Sequence, residues 1–230
     1  MSLWQDFISL IYPRSCVCCD KLLFKSEEFI CNQCFINLPQ SKFESENESE
    51  LDKLFYGRVP IQKAGAFLLF EKSGKVQRIL HAIKYNGNKQ LAYRVGQWYG
   101  DKLKEYPAFA KADCIIPVPL HSKKKKQRGF NQSEEFANGI SSALGIPVIK
   151  NCLVRTEYTS TQTKKSKAER WENVKDKFEL LHPELVSNKT LVLVDDVITT
   201  GATLDACYQA LSKVENLKLN VLSLAYAKKD

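Results

Sequence analysis

The sequence predicts an α/β fold: a mainly parallel, twisted sheet flanked by helices, with a small four-cysteine segment ahead of it. Three observations predict this. Short, near-continuous apolar runs recur along the chain, as strands buried on both faces require. Between them, apolar residues recur every three to four positions, the period of a helix with one buried face. Two Cys-x-x-Cys pairs crowd residues 16–34.

The elements follow in order. GAFLLF (65–70) reads as a strand, and in GKVQRILHAIK (74–84) Val76, Ile79, Leu80 and Ile83 share one helical face. A second helix is expected over 88–104. ADCIIPVPL (112–120) is a buried strand running into prolines. A helix is expected from Phe130 to Leu144, with Asn131 as its cap and Gly145 as its stop. A short strand is expected near Ile146–Ile149. TLVLVDD (190–196) is the next buried strand, followed by a helix over 202–214 that turns Leu204, Cys207, Tyr208, Leu211 and Val214 inward. LNVLSLAYA (219–227) closes the sheet. Strands alternating with helices in this way form parallel sheets covered on both faces.

Length and composition set the frame. The 230 residues suffice for one good-sized domain with a small appendage. No run approaches the ~18–20 apolar residues of a membrane span. The N-terminus lacks a basic stretch, and Asp6 interrupts its apolar run. It reads as an amphipathic helix carrying Trp4, Phe7, Ile8 and Ile11, not as a signal peptide, and the default expectation is a cytoplasmic protein. The expected divisions are 1–40 for the N-terminal helix and cysteine segment, 41–58 for an acidic linker or exposed loop, and 59–230 for the α/β domain.

Charge is unevenly spread. The net charge is +8, and residues 121–178 alone carry thirteen Lys or Arg against six Asp or Glu, a local +7. Such a concentration is either a solvated surface or a site for polyanions.

Of eight cysteines, Cys16 and Cys19 form one Cys-x-x-Cys pair and Cys31 and Cys34 another. Two thiolates on each tight turn can complete a closed tetrahedral shell around zinc. Cys18 is a spare sulfur that could stand in for Cys19. Disulfides need an oxidising compartment to which nothing in the sequence points. A closed site leaves no open coordination position, so its expected role is structural. Cys114, Cys152 and Cys207 lie in apolar contexts and read as packing residues.

The most informative stretch is LVLVDDVITTGAT (191–203). An apolar strand runs into two aspartates, Asp195 and Asp196, expected at the sheet rim where the chain leaves it. Thr199, Thr200, Gly201, Ala202 and Thr203 then turn into a helix. Free N–H groups and three hydroxyls there form a nest for a phosphate. A plain helix cap would account for one threonine but not for two acids joined to this turn.

VLVDDVITTGAT resembles the 5-phosphoribosyl-1-pyrophosphate (PRPP) signature of type I phosphoribosyltransferases. IIPVPLHSKKKKQRGFNQSEEFA (115–137), TSTQTKKSKAERWENVKDKF (159–178) and the four-cysteine segment are similar to the ComF family. The resemblance implies a type I phosphoribosyltransferase fold over 59–230. It implies Asp195 and Asp196 as the catalytic pair, on the ribose 2′- and 3′-hydroxyls, and Thr199–Thr203 around the 5′-phosphate. The loop after residue 117 would receive pyrophosphate through Pro119, Leu120, His121 and Arg128, with Pro117 and Pro119 stiffening it and some of Lys123–Lys126 assisting. Residues 156–174 would form a flexible lid offering Gln162, Lys164, Arg170 and Asn173. Lys84-Tyr85 is a weaker candidate. PRPP with Mg²⁺ would be the ligand and zinc the structural metal, for a glycosyltransferase whose acceptor no residue names. The alternative implied by the family is a competence-type protein for DNA uptake, binding single-stranded DNA through its basic surface and zinc segment and working with competence or DNA-processing proteins. On that alternative Phe130 and Trp171 are candidates to stack on bases, with a place in the core the equal alternative for either.

Overall fold

A computed structural model describes residues 14–156 and 178–228. The N-terminal helix, the lid residues Gln162, Lys164, Arg170 and Asn173, and Trp171 lie outside the described residues.

The first short helix, α1 (Asn32–Ile36), belongs to the cysteine segment. A second, α2 (Glu50–Lys53), is closed by a capping box between Ser49 and Asp52. Strand β1 (Ile61–Leu69) follows, then α3 (Lys75–Tyr85), α4 (Lys89–Leu103) and α5 (Pro107–Ala110). Next come β2 (Cys114–Pro117), α6 (Ser122–Arg128) and α7 (Gln132–Leu144). β3 (Leu153–Arg155) and β4 (Phe178–Leu180) make a small antiparallel pair. β5 (Thr190–Ile198), α8 (Ala202–Leu211) and β6 (Lys218–Tyr226) complete the chain.

Four strands form one sheet in the order β1-β6-β5-β2, and every pairing is parallel. Successive side chains of β5 alternate between two apolar layers. Val192 and Val194 pack with α3, α4 and α7, and Leu191 and Leu193 pack with α8. This two-sided burial is why the strands read as apolar runs. Helices α4 and α7 cross with their backbones in contact. A Cβ on Gly96 would fall 2.2 Å from the Phe136 carbonyl oxygen, and one on Gly139 would fall 2.0 Å from that of Tyr93. Asn131 caps α7 by accepting the Ser133 N–H at 3.2 Å, and Gly145 ends it with φ +74°.

Three expectations are corrected. The segment near Ile146–Ile149 forms only one parallel bridge, Val148 to Ile115, because Pro147 has no N–H for a ladder. The acidic stretch is not an exposed loop throughout. Glu44 and Asp52 are buried, Asp52 accepting from Lys63 Nζ at 2.6 Å and the Ala64 N–H at 2.7 Å. Glu44 accepts from Lys102 Nζ at 3.1 Å and from the Tyr99 hydroxyl. The lysine run is a helix, α6, where a phosphate-binding loop is expected.

The cysteine segment docks onto α3 and α4. Phe35 meets Trp98 with ring centroids 4.7 Å apart, and Lys75 Nζ donates to the Asn37 carbonyl at 3.2 Å. Cys114, Cys152 and Cys207 are buried, as expected. Among the described residues, no helix is long and apolar enough to cross a membrane.

Candidate functional site

The site begins with unequal strand lengths. β2 ends where Pro117 pairs with Val194, whereas β5 continues beside β6 to Ile198. Asp195 and Asp196 therefore lie within a strand, not at its end. The crevice beside them opens because the neighbouring strand stops first. Val118 makes a last bond, its N–H to the Val194 carbonyl at 2.8 Å, and the chain turns away. The described peptide bonds there are trans. The start of α7 occupies the space gained, anchored by Asn131 Nδ2 on the Val118 carbonyl at 3.0 Å.

Asp195 is buried at 8% exposure. Its Oδ1 accepts from Ser133 Oγ at 3.2 Å and from the Asp196 N–H at 2.8 Å. Burial, and then the charge of Asp196, push its carboxyl up to about 7. Asp196 points to α3, where Lys84 Nζ lies 2.8 Å from its Oδ2.

Both carboxylates line a cleft of about 180 Å³ whose polar walls also include Lys84, Lys124, Arg128, Gln132, Arg155 and Thr203. Lys124 and Arg128 stand four residues apart on α6 and so share a face. Of the four consecutive lysines, helical period thus selects one for the cleft. Burial, and then Arg155, Arg128 and Lys84, lower the Lys124 ammonium below its ordinary value. Pro119 and Leu120 also line the cleft. His121 does not; its Nδ1 accepts the Lys123 N–H at 3.1 Å and starts α6. Phe130 is a core residue, which removes it as a base-stacking candidate.

Thr199–Thr203 borders a second, smaller cavity of about 50 Å³ that also touches Asp195. Gly201 has φ +75° and precedes α8; the Ala202 N–H donates to Thr200 Oγ1 at 3.4 Å, and the helix N-terminus faces the loop. A Cβ at Gly201 would fall 3.0 Å from the Phe55 ring. Arg58 fixes the loop from behind: Nη1 and Nη2 donate to the Thr200 carbonyl at 3.2 Å each, and Nη1 meets Asp205 Oδ2 at 2.6 Å.

Ser133, Arg155 and Arg58 escape sequence reasoning. No spacing links them to residues 195–203; only the fold does. The period of α6 is the one local signal that could have separated Lys124 from its neighbours.

A second centre lies in the cysteine segment. The sulfurs of Cys16, Cys19, Cys31 and Cys34 all lie within 4.8 Å of one another, and Cys19 and Cys31 are 3.8 Å apart. A tetrahedral shell with Zn–S near ~2.3 Å puts its sulfurs about 3.8 Å apart, so the four could hold such a metal. The Cys31 N–H donates to Cys16 Sγ at 3.3 Å. Cys18 is buried outside this group, which leaves Cys19 as the fourth member.

Comparison with known proteins bears on the α/β part. The phosphoribosyl transferase domain family matches residues 131–229. Competence protein F of Haemophilus influenzae is 36% identical over 116 residues, 50% of this chain and 51% of that protein. The DNA utilization protein YhgH of Salmonella typhi is 29% identical over 58% of this chain and 59% of its own length. Competence protein ComFC of Bacillus subtilis is 32% identical over 56% of this chain and 50% of its own. The chain thus spans about half the length of these curated relatives. Among solved structures, the purine phosphoribosyltransferase of Pyrococcus horikoshii is similar at 19% identity and TM-score 0.37, over 60% of this chain and 82% of that one. Adenine phosphoribosyltransferase of Leishmania tarentolae is similar at 15% identity and TM-score 0.39, over 83% and 94%. Residues 131–229 thus match the phosphoribosyl transferase domain family, and over about half its length the chain is similar to proteins named for competence.

Proposed function

We propose that the cleft binds PRPP with Mg²⁺ and that the protein is a phosphoribosyltransferase-like enzyme or PRPP-binding protein. One observation carries this reading. Two adjacent carboxylates and four cations face one cleft, and a helix N-terminus opens immediately beside it. In this reading Asp195 and Asp196 accept hydrogen bonds from the ribose hydroxyls. The N–H groups and hydroxyls of 199–203 receive the 5′-phosphate. Lys84, Lys124, Arg128 and Arg155 meet the diphosphate, with Pro119 and Leu120 as its neighbouring wall. Gln162, Lys164, Arg170 and Asn173 remain the proposed lid.

Phosphoribosyl transfer breaks the bond between the anomeric carbon and the diphosphate oxygen, which keeps the electron pair. Negative charge grows on the leaving group where the four cations stand, and fixed charges in a water-poor cleft stabilise it strongly. Mg²⁺, bound with the diphosphate, would neutralise further charge, and the two carboxylates are the hard oxygen donors at hand. Zinc is the proposed metal of the four cysteines, in a closed and hence structural site. None of the eight cysteines is joined in a disulfide, in keeping with the proposed cytoplasmic location.

Titration calorimetry tests the central claim. Wild-type protein should bind PRPP with Mg²⁺, and Asp195→Ala with Asp196→Ala should abolish binding. Unchanged affinity in the folded double variant would sink it.

A second reading has its own observation. Lys123, Lys125 and Lys126 stay outside the cleft wall on the exposed side of α6, and relatives are named for competence and DNA utilization. A single-stranded DNA site along α6 accounts for these lysines, in a protein working with DNA-processing partners.

A further inference from the structure

The stretch that composition marks as a linker ends in a bracket for the 199–203 loop. Its helix α2 is closed by the Ser49–Asp52 capping box, and Asp52 is pinned to β1 through Lys63 Nζ and the Ala64 N–H. The turn that follows therefore starts from a fixed point. It carries Phe55, which is buried, and Arg58. Arg58 Nη2 donates to the Leu54 carbonyl, so the guanidinium is oriented by its own turn before it reaches across the chain.

There the guanidinium holds two acceptors at once, the Thr200 carbonyl through both Nη atoms and Asp205 Oδ2 through Nη1. A planar fork of donors fixes both in one orientation. The Phe55 ring backs Gly201 closely enough to exclude a side chain there. The described residues lining the 50 Å³ cavity include neither Phe55 nor Arg58, so both hold the loop from its far side. The peptide between Thr200 and Gly201 is trans, and in a trans peptide the carbonyl and the following N–H point in opposite directions. With the Thr200 carbonyl turned to Arg58, the Gly201 N–H is turned away from it. Asp205, in the first turn of α8, has its charge matched by the same guanidinium. Left unpaired, that carboxylate would oppose an anion at the start of the helix.

We propose that Arg58 is a positioning residue for anion binding. By holding the Thr200 carbonyl and the Asp205 carboxylate, it presets the N–H groups of residues 199–203 for the phosphate monoester of a sugar phosphate. The proposal rests on the PRPP reading, which puts a 5′-phosphate at this loop.

Two ligands separate the outcomes. Ribose 5-phosphate probes the loop together with the carboxylates, and magnesium pyrophosphate probes the cations of the larger cleft. Titration calorimetry should show wild-type protein binding both. Arg58→Ala should weaken ribose 5-phosphate roughly tenfold while leaving pyrophosphate within about twofold, since the lost charge-assisted bonds serve only the loop. Arg58→Lys keeps the charge beside Asp205 but not the fork, and should restore ribose 5-phosphate binding in part. An equal loss of both ligands in Arg58→Ala would mean that Arg58 merely supports the fold. Unchanged ribose 5-phosphate affinity in both variants would mean that the loop keeps its geometry unaided. Either result overturns the proposal and leaves the PRPP reading standing. Should Arg58→Ala fail to fold, Arg58→Lys decides alone: a loss confined to ribose 5-phosphate supports the proposal, and no such loss overturns it. If wild-type protein does not bind ribose 5-phosphate, the PRPP reading fails and the proposal falls with it.

Discussion

At the scale of single residues, the site is held in a state that costs stability. Asp195 is buried, and its carboxyl is pushed up from 3.8 to about 7 by burial first and by Asp196 second. The folded protein thus holds this proton more tightly than the unfolded chain. The contribution to stability is fully present below about pH 4 and is lost as the pH rises through about 7. Asp195→Asn keeps an oxygen for Ser133 and for the Asp196 N–H but removes the charge. It should raise stability at pH 8 by up to about 4 kcal/mol, at about 1.4 kcal/mol per pKa unit. The gain should shrink towards pH 4. Denaturant unfolding of both proteins across that range checks this; a gain independent of pH would mean that packing, not charge, was relieved. Buried charge retained at the expense of stability is common at functional sites.

At the scale of elements, the buried strands and long helices were legible because period and burial are local signals. Residues 190–194 could only be a two-sided strand, and Val76, Ile79, Leu80 and Ile83 could only be one helical face. What escaped depends on neighbours distant in sequence. That β5 outlasts β2 at Val194, opening the crevice at Asp195, is a register fact that no local pattern carries. Arg58 reaches Thr200 and Asp205 across the chain for the same reason. The acidic stretch misled because composition counts charges but not partners, and Asp52 finds Lys63 while Glu44 finds Lys102. In α6 the local signal was available, since helical period alone separates Lys124 and Arg128 from the other three lysines. This gives a sharp prediction. Lys124→Ser should weaken PRPP binding roughly tenfold or more, as loss of a charge-assisted contact does. Serine at 123, 125 and 126 together should spare PRPP and weaken binding of a labelled single-stranded oligonucleotide, with a shallower salt dependence. Anisotropy over a salt series decides it. No oligonucleotide binding at low salt removes the DNA reading, and loss of PRPP affinity in the triple variant would mean that the outer lysines also serve the cleft.

At the scale of the whole molecule, the four-cysteine segment and the sheet share one apolar layer. Cys16, Cys18, Ile30 and Leu38 are buried in the same cluster as Val76, Leu80 and Val95 of α3 and α4. The segment also touches the helix that carries Lys84. Arg78 pairs with Asp20 at 2.6 Å, and the same α3 carries His81, Lys84 and Tyr85. A short segment folded around a metal has little core of its own, so the metal contributes folding energy directly. With zinc bound as proposed, that energy would be coupled to α3 and α4, and metal loss should weaken the α/β body as well as the cysteine segment. Purified protein should contain one zinc per chain. Chelation, or Cys16→Ser with Cys31→Ser, should lower the unfolding midpoint by roughly 10 °C, taking a loss of several kcal/mol at about 2–4 °C per kcal/mol for a chain of this size. The transition should stay single in calorimetry because the two parts share their core. PRPP affinity should fall in parallel, since Lys84 stands on the helix that loses its packing partner. A separate low-temperature transition with the main midpoint unmoved would show that the segment folds independently of the sheet. Protein free of metal with an unchanged midpoint would show that the four sulfurs hold no structural ion.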